Sequence, residues 1–94
     1  LAPTLAALVA RIVAERARLE AALDASPTVR RRFPSEANFV LVEVDDAAAV
    51  DARLRDRGVW VRRFAREPAL ADRHLRITVG TPAETDALVD ALDR

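Results

Sequence analysis

Ninety-four residues with 15 basic and 15 acidic side chains, one histidine and no cysteine describe a single small domain, residues 1–94, with one core and modest stability. Balanced charge argues against a polyanion-binding or membrane-surface role, so neither nucleic acid nor membrane is expected as a partner. Disulfides are excluded, and a lone histidine without placed carboxylates makes a metal site improbable. All 15 basic residues are arginine, so no lysine Schiff base can form on this chain. With no methionine either, it reads as a piece of a longer polypeptide.

The first expected element is a long amphipathic helix from about Thr4 to Ala25, because Leu5, Leu8, Val9, Ile12, Leu19 and Leu23 recur at three- and four-residue spacings. Its opening lacks a basic leader and is interrupted by Arg11, so it is neither a secretion signal nor a membrane span. Ser26 and Pro27 end it. A short, weak strand from Val29 to Phe33 follows, with Arg30, Arg31 and Arg32 read as solvated surface without a role. The run Asn38 to Val44 is nearly all β-branched or large and apolar, which predicts a central strand covered on both sides.

Asp45 and Asp46 open a second helix through Val50 and Leu54, closed by Arg53, Arg55 and Arg57 and stopped by Gly58. Acids at the start and bases at the end suit the helix dipole, and glycine suits a left-handed stop. Val59 to Phe64 predicts a third strand, with Trp60, Arg62 and Phe64 on one side. Ala65 to Arg73, with Pro68 and no period, reads as a loop and a candidate functional or mobile element. In His74 to Val79 the apolar Leu75, Ile77 and Val79 alternate with His74, Arg76 and Thr78, the signature of a half-buried strand. Gly80 breaks it; Thr81, Pro82 and Glu84 form a capping-box start for a last helix that buries Leu88 and Leu92.

This order predicts an α+β fold: a two-layer domain whose mixed or antiparallel sheet of three to four strands carries helices on one face. The helices around Ile12, Leu54 and Leu88 should supply that layer. Strands joined by the second helix should be parallel or one apart, and the last two strands antiparallel.

Arg62 and Arg76 are the candidate functional residues. Both lie in apolar strands on the side opposite Ile77, and a buried guanidinium needs an anion. Glu43, Asp72 or solvent could supply it; so could a ligand carboxylate or phosphate gripped through two parallel hydrogen bonds. His74 and Asn38 are read as structural. With two glycines there is no phosphate-binding loop.

The succession RIVAERARLEAAL, FPSEANFVLVEV, RGVWVRRF and LRITVGTPAETDALVDAL resembles the C-terminal small domain of the histidinol-phosphate aminotransferases, pyridoxal-phosphate enzymes of fold type I. The resemblance implies that the large domain, with the cofactor lysine, lies outside these residues and that the isolated chain is inactive. It implies that Arg76 clamps the substrate carboxylate and that Arg62, rather than the adjacent Arg63, helps hold the substrate phosphate. No catalytic or cofactor-binding residue is implied here. The whole enzyme would be a cytoplasmic homodimer of histidine biosynthesis, passing an amino group between a small-molecule amine and 2-oxoglutarate through pyridoxal 5'-phosphate. Aromatic aminotransferases and phosphate-ester decarboxylases share much of the pattern. The rival class is a freestanding ferredoxin-like small-molecule-binding or regulatory module, since strand, helix, strand, strand, helix follows from Phe33 onward. A pure interaction domain would rest only on the first helix.

Overall fold

The computed structural model describes residues 4–35 and 38–93. Helix α1 spans Leu5–Ala25, with the Thr4 side chain accepting from the Ala7 N–H as its N-cap and Ser26 turning extended at its end. Strand β1 (Val29–Arg32) leads to β2 (Phe39–Val44), α2 (Ala47–Asp56), β3 (Arg62–Arg63), β4 (His74–Thr78) and α3 (Pro82–Asp93). The sheet order is β1-β2-β4-β3, and every neighbouring pair is antiparallel. Because β2 and β3 both run against β4, they are parallel to each other with β4 inserted between them, a split βαβ unit. Both expected pairings therefore hold, and the architecture is the α+β domain that the element order predicts.

The helices lie on one face. Leu19 and Leu23 of α1, Ala47, Val50 and Leu54 of α2, and Leu88, Ala91 and Leu92 of α3 close over Val40, Val42, Val44, Leu75 and Ile77 in one core. Two helix ends show how local sequence builds this layer. Gly58, at φ 75°, ends α2: its N–H bonds the Arg55 carbonyl and the Val59 N–H bonds that of Leu54, the Schellman arrangement, in which Val59 returns to the core. At α3 the capping box forms as read: Thr81 Oγ1 accepts from the Glu84 N–H at 3.2 Å and Glu84 Oε1 from the Thr81 N–H at 3.0 Å.

Four expectations need correction. Strand β2 is buried on alternate residues only, Val40, Val42 and Val44 inward and Phe39, Leu41 and Glu43 half-exposed, because no helix among the described residues covers the second face. Strand β3 is two residues long rather than six; the stop after α2 consumes Val59, whose N–H is committed to the helix. The Ile12 region does not pack on the sheet. Ile12 is 47% and Leu5 77% exposed, and the apolar residues of α1 are buried only at Leu19 and Leu23. The arginine triplet is not idle surface: Arg32 bonds Asp24 and Glu20 of α1, and Arg30 bonds Asp45.

The segment from Ala65 to Arg73 is a succession of turns rather than irregular loop. Leu70 and Ala71 donate to the Glu67 carbonyl, and the Asp72 and Arg73 carbonyls accept from Ala47 and Val44, which ties the end of the segment to the start of α2.

Candidate functional site

Antiparallel pairing sets Arg62 directly opposite Arg76, and Arg63 opposite Leu75. Residues directly opposite each other in such a pair share a face. Leu75 is a core residue, so Arg63 is directed to the helical side, whereas Arg62 and Arg76 meet on the face that no described helix covers. The same parity adds Leu41, opposite Arg76, and Glu43, opposite both His74 and Arg31. Phe39 and Phe33 complete this surface.

The arrangement carries unbalanced charge. Like charges placed directly across a ladder repel, and neither Arg62 nor Arg76 has an ion-pair or hydrogen-bond partner among the described residues. Several arginines elsewhere do: Arg18 meets Glu15 and Asp86 at 2.8 Å, Arg30 meets Asp45 at 2.7 Å, and Arg32 meets Glu20 at 2.7 Å and Asp24 at 2.8 Å. Neither Glu43 nor Asp72, the acids that could have neutralised the pair, forms an ion pair with it. Among the described residues the uncovered face thus presents Arg31, Arg62 and Arg76 with the one acid Glu43, on a chain with a formal net charge of zero.

Arg76 is the more constrained of the two. Its guanidinium carbon sits 5.1 Å from the centre of the Phe39 ring, and its Nε is buried without a partner. Arg62 is exposed. A second stack lies on the β1 side, with Arg31 4.6 Å from the Phe33 ring centre and Phe33 5.7 Å from the His74 ring. His74 Nδ1 is buried and has no hydrogen-bond partner among the described residues. No group of acids and histidine suited to a metal occurs among the described residues. The face thus offers two guanidiniums that no acid among the described residues engages in an ion pair.

Sequence reasoning singled out Arg62 and Arg76 and missed the aromatic platforms. The signal was present: Phe39, Leu41 and Glu43 alternate against Val40, Val42 and Val44, a parity hidden by reading the whole run as apolar.

No protein-family model matches the chain. Histidinol-phosphate aminotransferase of Xanthomonas campestris pv. campestris is 47% identical over 99% of the chain, and that of Chromobacterium violaceum 44% identical over 90%. The chain is homologous to one portion of the histidinol-phosphate aminotransferases. It spans about a quarter of their length, 26% and 24% in these two relatives. Among solved structures, a Burkholderia pseudomallei protein described as an aminotransferase is 38% identical, with TM-score 0.77, over 93% of the chain and 26% of its own. The histidinol-phosphate aminotransferase of Clostridium acetobutylicum shares the fold at TM-score 0.80 and 24% identity over 87% of the chain and 25% of its own. A decarboxylase from Sulfurospirillum multivorans, 29% identical at TM-score 0.76, covers 86% of the chain and 24% of its own. A freestanding regulatory module gains no support from these relatives, each about four times longer than the match.

Proposed function

We propose that residues 1–94 form a single domain of a longer enzyme, the substrate-clamping small domain of a pyridoxal-phosphate-dependent aminotransferase acting on histidinol phosphate and 2-oxoglutarate. The observation that carries this reading is the register of Arg62 with Arg76 on an uncovered face where no acid among the described residues forms an ion pair with either. Two guanidiniums in that position suit substrates that bear a carboxylate or a phosphate, because the planar fork binds either through two parallel hydrogen bonds. In this assignment Arg76 holds the carboxylate of the amino or 2-oxo acid and Arg62 the phosphate of the amine. The rest of the parent chain would close over that face, excluding water and strengthening both contacts.

Pyridoxal phosphate, when bound, supplies the electron sink for amino-group transfer. The chain does not fit as its covalent holder, since its 15 basic residues are all arginine and the anchoring group must be an amine. Its residues bind and orient substrate only. The setting proposed for the parent is a cytoplasmic homodimer in histidine biosynthesis; among the described residues no helix is long and apolar enough to cross a membrane.

The two half-reactions of the full-length enzyme separate the two arginines. Arg76→Ala is expected to lower kcat/KM for the 2-oxo acid a few hundredfold, about 3 to 4 kcal/mol. Arg62→Ala is expected to raise KM for histidinol phosphate more than KM for histidinol, its phosphate-free analogue. Single-turnover kinetics that leave the 2-oxo acid step unchanged in Arg76→Ala would overturn the carboxylate assignment.

A further inference from the structure

We infer that Phe39 is a positioning residue for Arg76, holding its guanidinium so that only the terminal edge is offered to a ligand carboxylate. This deepens the assignment of Arg76 made above and rests on it.

The placement follows from strand register. Phe39 lies opposite Thr78, and Arg76 lies opposite Leu41, so Phe39 and Arg76 are diagonal neighbours on one face, within reach for an aromatic and a long side chain. The guanidinium carbon stands 5.1 Å from the ring centre, inside the range in which a ring's negative face attracts a cation. No acid among the described residues fixes Arg76 through an ion pair, whereas Arg30 and Arg32 are each fixed by a carboxylate. A carboxylate partner would also compete with any ligand for the same fork, while a ring occupies a face of the guanidinium plane and leaves its edges open.

The buried Nε sharpens the geometry. Because Nε is occluded and unpartnered, an incoming carboxylate meets the two terminal nitrogens and not the side that includes Nε. Phe39 thus contributes an orientation, and through it affinity for the carboxylate, without touching the substrate's reacting atoms.

The experiment uses the full-length enzyme with three replacements at position 39: Phe39→Tyr, Phe39→Leu and incorporation of pentafluorophenylalanine. The last keeps the ring's shape while reversing the sign of charge on its face. The dissociation constant of maleate, a non-reacting dicarboxylate, is read by calorimetry, together with KM and kcat for the 2-oxo acid half-reaction. Tyr should bind maleate as the parent does. Leu and the fluorinated ring should each weaken binding about two- to tenfold, with KM rising and kcat nearly unchanged. Native-like binding by the fluorinated variant would overturn the inference even if Leu destabilised the fold, because a purely structural ring would tolerate fluorination. Weak maleate binding in Arg76→Ala together with native binding in both Phe39 variants would remove the role of Phe39 and keep that of Arg76. Native binding in Arg76→Ala would remove both.

Discussion

Arg76 and the paired arginines elsewhere differ in what their removal exposes. Deleting one partner of an ion pair such as Arg32 with Asp24 leaves a carboxylate unneutralised, whereas deleting Arg76 strands no acid among the described residues and relieves repulsion from Arg62. Arg76→Ala should therefore leave the urea midpoint of unfolding nearly unchanged, within about 0.5 kcal/mol, while Arg76→Lys restores only part of the lost ligand affinity because a point charge cannot reproduce a planar fork. A marked loss of stability in Arg76→Ala would show that its main partner is within the fold.

Acid should loosen the molecule through identifiable carboxyls. The Arg18 guanidinium and the Thr85 side chain hold Glu15 below its ordinary 4.5, and Arg32 holds Asp24 below 3.8. Arg30 does the same to Asp45, and the Thr81 N–H and hydroxyl to Glu84. A carboxyl whose folded pKa is depressed stabilises the fold above its unfolded value, and that contribution disappears as pH falls through the folded one. The urea midpoint should thus be flat from pH 7 to about 5 and fall below about 4.5. A midpoint constant down to pH 3 would mean these contacts do not persist in solution.

At the scale of elements, the three helices depend on the core to different degrees. Leu54 on α2 is fully buried, and Leu54→Ala should cost about 2 to 5 kcal/mol in chemical denaturation. Ile12 on α1 is about half-exposed, so Ile12→Ala in the 94-residue chain should cost less than about 0.5 kcal/mol. A loss comparable to that of Leu54 would show that the first half of α1 packs on the domain after all. At α3, Thr81→Ala removes one arm of the capping box and should cost about 0.5 to 2 kcal/mol. A methyl group at Gly80 would stand 2.9 Å from Glu84 Oε1, so Gly80→Ala should disturb the other arm by displacing that carboxylate.

For the whole molecule, the absence of lysine has a direct chemical consequence. The 94-residue chain mixed with pyridoxal phosphate and reduced with borohydride should carry no adduct on any side chain. A side-chain adduct found by mass spectrometry, after exclusion of the terminal amine, would contradict this. The molecule also has two surfaces left uncovered by its own described residues, the outer face of the sheet and the apolar first half of α1 along Leu5, Leu8, Val9 and Ile12.

Helices and their ends were legible in the chain because their determinants are local. Thr4, Asp46, Gly58 and the Thr81 to Glu84 box act within four residues of themselves, and period alone placed Leu75 and Ile77 inward. Arg62 and Arg76 were legible as cations stranded in apolar strands. What period could not convey was how far each element would be covered. Asn38 to Val44 reads as apolar on both sides, and Ile12 reads as core, because apolarity records a demand for burial without saying what meets it. The partners of Arg30 and Arg32 were equally hidden, since Asp45, Glu20 and Asp24 reach them only once β1 is docked. Only the tertiary structure decided that Arg62 stands opposite Arg76 and that Phe39 lies beneath Arg76. Those relations depend on strand register, and register is set by the joint packing of β2, β3 and β4 against the helices rather than by any one segment.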